Sequence, residues 1–153
     1  MKVIFLDFDG VLNSQRFFRA NGGEGVALDP VCMIHLQEIV AVSDAVIVLS
    51  TSWREHWEKE RAECGEIGLE INQIFQKYDL PIFDKTPFSE VDRETDIENW
   101  LKQNSETTDF VVLDDRVLDS EIIRGHFVKT DGYLRGLDER TKKEAISILM
   151  KKS

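Results

Sequence analysis

Three short groups of polar residues could carry out chemistry, because each directly follows an apolar run that predicts a buried strand. The groups are Asp7 with Asp9, the hydroxyl cluster Ser50-Thr51-Ser52, and the pair Asp114-Asp115. In an open parallel sheet, ligands bind beyond the carboxyl ends of the strands, so the three groups would converge if their strands are neighbours. Four carboxylates at one edge repel one another unless they are protonated or bridged by a cation. Oxygen ligands of this hardness suit Mg²⁺, which completes its shell with waters and substrate phosphate.

Each group taken alone also has an ordinary structural interpretation. Two acids separated by one residue are common in solvated turns, hydroxyl clusters often cap helices, and paired acids often begin loops. The succession of all three at predicted strand ends is what indicates a site. Asp7 and Asp9 need not share a role there, since one can face the metal and the reacting centre while the other serves as acid and base.

Strands and helices alternate along the chain. The predicted strands are residues 3–6, 45–49, 80–83, 109–113 and 126–129. The predicted helices are residues 30–42, 53–63, 72–78 and 92–103, and a last one that Asp138 caps and that continues through Leu149. Apolar runs buried on both faces and separated by helices indicate an α/β fold with a parallel sheet.

The long segment between the first strand and the first predicted helix has several glycines and no sustained period. We therefore predict a loop over residues 7–27, and expect residues 12–27 and 63–80 to be the segments that can cover the site. Asp29 and Pro30 form an N-cap and first position that begin the helix. The buried stripe of that helix is predicted to be Ile34, Leu36, Ile39 and Val40.

Length and composition indicate one globular domain, residues 1–153, with 42% apolar and 31% charged residues. The net charge of −10 makes the chain a poor general binder of nucleic acid or anionic membrane, although a local cationic site stays compatible with it. The apolar stretches are too short to cross a bilayer, and the first residues lack the pattern of a signal peptide. Cys32 and Cys64 are expected to be free thiols in a reducing compartment, so we predict a cytoplasmic protein.

The polar groups and their strands together resemble a known family. Residues 3–12 are similar to the first signature of the haloacid dehalogenase (HAD) superfamily, an apolar strand followed by Asp-x-Asp-Gly-Val-Leu. Residues 46–50 resemble the second signature, a strand that ends in Ser or Thr, and residues 111–115 resemble the fourth, a strand that ends in paired acids. Residues 49–54 with 112–116 are further similar to the small phosphatase domains of nucleic-acid end-repair proteins, including the polynucleotide kinase 3′-phosphatase.

The resemblance implies a Rossmann-like sheet of order 3-2-1-4-5 with helices on both faces and little or no cap. It also implies an aspartyl-phosphate mechanism with Mg²⁺. Asp7 would be the nucleophile that attacks phosphorus. Asp9 would protonate the leaving oxygen and then activate the water that cleaves the intermediate. Because dehalogenases of the superfamily lack this second acid, Asp9 favours phosphoryl transfer.

The same resemblance implies ligands for the metal and for the phosphoryl group. Mg²⁺ would be held by the Asp7 carboxylate, the Asp9 main-chain carbonyl and one acid of the Asp114-Asp115 pair. Ser50 would hydrogen-bond the phosphoryl oxygens, with Thr51 as the alternative if the register shifts.

The third signature is the point at which this sequence departs from the family pattern. The family has a Lys, sometimes an Arg, just before or at the start of the helix that precedes the fourth strand. Arg93 lies at that end of its predicted helix and is our choice, ahead of Lys85 and Lys102. The ordinary interpretation of Arg93 is a solvated charge paired with Asp92 or Asp96.

Four residues are predicted to contact substrate: Gly10, Thr51, Trp53 and Arg54. Trp53 could stack a base and Arg54 could pair with a phosphate, although both could equally form the first turn of a packed helix. These residues favour nucleic-acid ends as the substrate, against the adverse net charge.

We therefore predict a Mg²⁺-dependent phosphomonoester hydrolase with a phosphorylated substrate, no membrane association and no obligate protein partner. The alternatives on the same fold are a phosphatase or phosphomutase of small metabolites or nucleotides, and a degenerate HAD domain used as a binding module. A phospho-receiver domain also uses acids at strand ends, but its phosphorylated Asp normally ends a middle strand, whereas Leu49 is followed by Ser50.

Overall fold

The apolar runs form a parallel sheet in a computed structural model that describes residues 1–151. Within these residues the strands are β1 (Lys2–Leu6), β2 (Val46–Leu49), β3 (Ile82–Lys85), β4 (Asp109–Asp114) and β5 (Phe127–Lys129). Their order across the sheet is β3-β2-β1-β4-β5, and every pairing is parallel. The predicted α/β class and the 3-2-1-4-5 order are both confirmed.

Helices connect the strands, and several begin where the sequence predicted. In residues 1–151 they are α1 (Gln15–Ala20), α2 (Pro30–Ser43), α3 (Glu66–Lys77), α4 (Arg93–Gln103) and α5 (Glu139–Leu149). Asp29, Asp92 and Asp138 cap α2, α4 and α5, because each carboxylate accepts a hydrogen bond from a main-chain N–H of the first turn. None of the helices in this part of the chain is both long enough and apolar enough to span a bilayer.

The alternation of side chains along β1 divides the core into two layers. Ile4 and Leu6 face the layer that contains buried residues of α2, α3 and α5. Val3 and Phe5 face the layer that contains α4, where the Phe5 ring meets the Trp100 ring edge-on at 5.4 Å. Helices therefore cover both faces of the sheet, as predicted, and the polar groups follow the strands at its carboxyl edge.

Two of the predicted local structures are wrong. The segment predicted as a loop contains α1, and the predicted helix over residues 53–63 consists of two short 3₁₀ helices, Ser52–His56 and Arg61–Glu63. In residues 53–63 the buried side chains are Arg54 and Trp57. Two buried positions three residues apart do not make an apolar stripe long enough to hold a regular helix against the core.

Other predictions were displaced rather than wrong in kind. α3 begins six residues before the predicted Asn72, and it buries Ile71 and Phe75 in the core, so this segment is part of the core and not a cover. β3 begins after Pro81, which lacks the N–H that a strand interior needs. In α2, Ile34 is 46% exposed while Met33 is buried. Apolar residues of α2 lie on all sides of the helix, so the periodicity of the sequence could not identify its buried face.

Candidate active site

The register of the central strands brings the predicted polar groups together. Leu6 of β1 pairs with Leu49 of β2 and with Leu113 of β4, so the residues that follow them lie side by side at the carboxyl edge. Those residues are Asp7, Ser50 and Asp114. Two further main-chain bonds continue the pairing past the strands: Asp7 N–H donates to Leu113 O at 3.2 Å, and Ser50 N–H donates to Leu6 O at 3.0 Å.

Asp7, Asp114 and Asp115 form a carboxylate cluster in which one oxygen from each residue lies within 4.8 Å of the others. Asp7 is 5% exposed and Asp114 is fully buried. Burial raises the pKa of Asp7 to about 7 even though Arg93 opposes the rise, and the neighbouring Asp114 and Asp115 add to it. Burial, reinforced by Asp114, also raises the pKa of Asp115. The cluster therefore favours a bound proton or a bound cation.

Arg93 is the buried cation that the structure places at this cluster, and the exposed Arg116 lies 3.8 Å from Asp114 Oδ1. Arg93 Nη1 lies 3.0 Å from Asp7 Oδ2 and 2.6 Å from Asp114 Oδ2. Burial opposes its charge, but the two carboxylates outweigh burial and raise the pKa of Arg93. The side chain reaches the cluster because Arg93 begins α4, which points its amino end toward the carboxyl edge of the sheet.

The competing interpretations of the third signature are not supported by the geometry. Lys85 Nζ donates to the carbonyls of Arg54 and Trp57 and to Glu58, and Lys102 is exposed in the last turn of α4. Asp92 and Asp96, the partners considered for a solvated Arg93, cap α4 and bind Arg54 respectively.

Ser50 and Thr51 are both fully buried, but their hydroxyls differ. Ser50 Oγ has no hydrogen-bond partner among residues 1–151. Thr51 Oγ1 accepts a hydrogen bond from Trp53 N–H at 3.3 Å and so caps the following 3₁₀ helix. Because buried polar groups are almost always satisfied, the unpaired hydroxyl beside Asp7 is the one that fits a ligand oxygen. Thr51, predicted as a substrate contact, instead caps a helix, which is the ordinary interpretation of a hydroxyl cluster at this point of the sequence.

Asp9 is exposed and is not one of the three acids of the carboxylate cluster. Its Oδ2 accepts a hydrogen bond from Trp53 Nε1 at 2.9 Å, and its Oδ1 accepts one from Asn13 Nδ2 at 3.2 Å. Asp7 and Asp9 therefore have different partners, and the separate roles predicted for them stay predictions. Trp53, predicted as a base-stacking residue, thus contacts a predicted catalytic acid through its ring N–H.

Asn13 is a site residue that the sequence analysis missed. Its side chain is nearly buried, donates to Ala27 O at 2.7 Å and to Asp9, and accepts from Gly10 N–H at 2.9 Å. One amide thus ties the loop after β1 to the loop before α2. An Asn in a turn is common, and nothing in the spacing distinguishes this one.

Gly10 and Gly132 make room for Asp115. A Cβ on Gly10 would lie 2.3 Å from Asp115 Cγ, and one on Gly132 would lie 2.4 Å from Asp115 Oδ2. Gly10 also has φ +88°, a conformation that favours glycine. Its N–H donates to Asn13 and its carbonyl accepts from Thr130, so its main-chain polar groups are already paired, and the predicted contact of Gly10 with substrate stays a prediction.

Arg54 does not lie where a substrate phosphate could reach it. It is 3% exposed, and its guanidinium donates to Asp96 and to four main-chain carbonyls: Ser50, Thr51, Thr86 and Pro87. The geometry therefore does not support the predicted substrate contact. The structural alternative, a packed turn after β2, describes Arg54 correctly.

A cavity of about 930 Å³ adjoins the site and is bounded on the site's side by Asp9, Gly10 and Asp115. Its other walls come from α1, the loop after β5 and the first turns of α5. The candidate site is therefore a small, buried cluster beside a much larger open space.

The sheet order, the acids that follow β1 and end β4, and the arginine at the start of α4 define a HAD-type hydrolase fold. The chain belongs to the family described as the HAD domain in Swiss Army Knife RNA repair proteins, whose sequence pattern matches residues 3–141. Searches of curated proteins and of solved structures found no match. Membership confirms the resemblance to HAD domains of end-repair proteins and supports a phosphatase of the HAD type, a superfamily that generally uses Mg²⁺.

Proposed function

We propose that this chain is a Mg²⁺-dependent phosphomonoester hydrolase that removes phosphate from nucleic-acid ends through an aspartyl-phosphate intermediate. The observation that carries the proposal is the position of Asp7, whose buried carboxylate lies against Arg93, Asp114 and Asp115 at the sheet edge. A carboxylate placed against a cation and a candidate metal site is suited to attack on a phosphoryl group.

The residues present fit a divalent cation. Asp7, Asp114 and Asp115 offer three carboxylates within 4.8 Å of one another, and together they exceed the single positive charge of Arg93. These acids, with the main-chain carbonyl of Asp9, would hold Mg²⁺. When bound, the ion would neutralise charge on the transferring phosphoryl group.

In the first half-reaction, a carboxylate oxygen of Asp7 forms a bond to phosphorus as the ester bond to the leaving oxygen breaks. Asp9 gives its proton to that leaving oxygen. The hydrogen bonds from Trp53 and Asn13 fix the direction of the Asp9 carboxyl group. Arg93 and the Ser50 hydroxyl hold the phosphoryl oxygens, so their charge is balanced before the bond breaks.

In the second half-reaction, the Asp9 carboxylate takes a proton from water, and the water oxygen bonds to phosphorus. The bond between phosphorus and Asp7 breaks, which releases inorganic phosphate and restores the Asp7 carboxylate. Asp9 is then protonated again for the next cycle, so acid and base are one residue at two stages.

The assignment of the substrate has two supports. The family is described as a domain of RNA repair proteins. The cavity beside Asp9, the residue that would protonate the leaving group, has room for much more than a phosphoryl group. Nucleic-acid ends are therefore favoured over small metabolites, although the net charge of −10 opposes binding of long polyanions.

The proposal is tested by measuring phosphate release from three substrates, an aryl phosphate and oligoribonucleotides with a 3′-phosphate or a 5′-phosphate, in Mg²⁺ and in EDTA. We expect Mg²⁺-dependent release, with one oligonucleotide end preferred over the aryl phosphate. Acid quenching during turnover should recover phosphate on the wild-type protein and on the surface variant Asp119→Asn, but not on Asp7→Asn. Release that EDTA does not affect, or protein-bound phosphate on Asp7→Asn, would contradict the mechanism. A clear preference for mononucleotides would replace the substrate assignment.

A further inference from the structure

The walls of the cavity beside the reaction centre include aromatic rings and cations, together with the acids Asp9, Asp115, Asp131 and Glu144. Aromatic rings come from α1, from the 3₁₀ helix after β2 and from the loop after β5; they are Phe18, Trp53 and Tyr133. Cations come from the end of β5 and the first turn of α5; they are Lys129 and Arg140. Aromatic faces next to cations are the pattern with which proteins hold single-stranded nucleic acid, because bases stack on rings while phosphates meet cations.

Tyr133 is the ring whose position most needs explanation. It is 66% exposed, although its main chain is held firmly on both sides. Asp131 Oδ1 accepts from Tyr133 N–H at 3.0 Å and from Leu134 N–H at 3.1 Å, and Arg16 N–H donates to Tyr133 O at 3.0 Å. Because the backbone of Tyr133 is fixed, a base that stacks on the ring would have to order only the side-chain torsions.

Trp53 is also fixed, at the end of the cavity nearest the reaction centre. The bond from its Nε1 to Asp9 Oδ2 holds the ring beside the acid that protonates the leaving oxygen. A sugar attached to that oxygen would therefore enter the cavity next to Trp53.

Lys129 lies at a suitable place for the next phosphate along a chain. It pairs in register with Asp114, which puts it at the carboxyl edge, and it makes no ion pair within residues 1–151. Arg140 lies on the same cavity and bonds Glu144 at 2.6 Å on the surface of α5. Lys129 and Arg140 are thus the cations on walls that also carry acids, and a phosphate at Arg140 would share that side chain with Glu144.

We propose that this cavity binds the terminal nucleoside of a single-stranded nucleic-acid end, with its base against Tyr133 and its internucleotide phosphate at Lys129 and Arg140. This inference rests on the proposed function, since it gives the leaving group of that reaction a place. It also moves the predicted phosphate contact from Arg54, which is buried elsewhere, to cations from two later elements.

Binding can be tested apart from turnover, in the Asp7→Asn background with Mg²⁺ present. The probe is a short fluorescent oligoribonucleotide with a terminal phosphate, and its anisotropy gives Kd. Tyr133→Ala should raise Kd by about tenfold, whereas Leu134→Ala, an exposed neighbour on the same loop, should not change it. Tyr133→Phe should recover most of the affinity, because the ring rather than the hydroxyl carries the stacking.

The cations have a separate readout in the salt dependence of Kd. Lys129→Ala should weaken binding and lower the slope of log Kd against log salt concentration by roughly 0.7, the value for one phosphate on a single strand. Lys143→Ala, a cation on the exposed surface of α5, is the matched control and should change neither.

The outcomes separate this inference from the function on which it rests. If wild type hydrolyses the substrates but Tyr133→Ala and Lys129→Ala bind the probe like their controls, the cavity is not the nucleoside site and the phosphatase proposal stands. If the probe binds through Tyr133 but no phosphate is released by wild type, the site is supported and the catalytic proposal fails. The inference is overturned if the probe does not bind at all. It is also overturned if a single nucleotide, which has no internucleotide phosphate, binds as tightly as the oligonucleotide.

Discussion

Two buried arginine–aspartate clusters meet on α4, and they are built in opposite ways. Asp96 pairs with Arg54 at 2.7 Å, and Arg93, one turn earlier in the same helix, pairs with Asp7 and Asp114. Burial lowers the pKa of Arg54 despite its Asp96 partner, whereas the acids around Arg93 raise the pKa of that side chain. The two pairs share their chemistry but not their balance of charge.

The Arg54 cluster is satisfied, and the Arg93 cluster is not. The guanidinium of Arg54 has four carbonyl acceptors and one carboxylate, and the second oxygen of Asp96 accepts from Ser89 N–H at 2.7 Å. Arg93 instead faces a surplus of carboxylates among residues 1–151, beside a hydroxyl without a partner. Complete satisfaction indicates a structural role, and unbalanced charge at a strand edge indicates a place for ligands.

The largest expected effect is the loss of activity when Asp7, in the Arg93 cluster, is replaced. Asp7→Asn keeps the shape of the side chain but removes the nucleophile, so kcat should fall by several orders of magnitude. Stability without metal should hold or rise, because one of three crowded carboxylates is gone. Steady-state kinetics with saturating Mg²⁺ and a urea titration in EDTA measure the two quantities. A kcat within about tenfold of wild type would remove Asp7 as the nucleophile.

The second effect is on Arg54 and should appear in stability. Arg54→Ala leaves Asp96 buried without its arginine partner and removes the side-chain donor from four carbonyls, of which Thr51 O keeps a bond from the main-chain N–H of residue 54. The free energy of unfolding should therefore fall by about 3–5 kcal/mol. Urea titration measures the loss, with the exposed Arg124→Ala as the control. A loss below about 1 kcal/mol would show that the pair contributes little and would weaken the contrast between the clusters.

The third effect is on Arg93 and should appear in catalysis. Arg93→Ala removes a preorganised charge, so kcat/KM should fall on every phosphate ester. The fall should correspond to a loss of about 2–4 kcal/mol of transition-state stabilisation. Arg93→Lys should recover part of the loss, because an ammonium restores the charge but not the planar, bidentate donor. Arg124→Ala again serves as the control. If Arg93→Ala matches wild type on both an aryl phosphate and an oligonucleotide, another cation must hold the phosphoryl group.

The same contrast shows how far sequence could predict this molecule. The strands, the caps of α2, α4 and α5 and the place of Asp7 follow from local patterns, since apolar runs and capping residues act on their neighbours in sequence. Arg54 was predicted to contact substrate because it follows the hydroxyl cluster. Its partner Asp96 is 42 residues away, and no local pattern shows that the two meet.

The cavity and Asn13 were missed for the same reason. Asn13 joins two loops, and the cavity is made by segments from both halves of the chain, among them α1, the loop after β5 and the start of α5. α1 itself is short and buries no residue, so it lacks the stripe that would have predicted it. Residue types could be read from the sequence, but contacts between segments that are distant in the chain could not be predicted from it.

The smallest effect expected is a pH dependence that should reverse when metal is added. Burial raises the pKa of Asp7 from its ordinary 3.8 to about 7, so between these values the native state binds a proton that the unfolded state does not. Stability from this group is therefore present at low pH and is lost as pH rises through about 7 in EDTA. Mg²⁺ requires the ionised carboxylate, so stabilisation by Mg²⁺ should grow over the same interval, with affinity rising by up to about tenfold per pH unit. Thermal midpoints of wild type and Asp7→Asn from pH 5 to 8, with and without Mg²⁺, isolate the contribution of Asp7, since the other acids are common to both proteins. Parallel curves for the two proteins in EDTA would mean that Asp7 is already ionised by its contact with Arg93, and that the two clusters differ less than their geometry indicates.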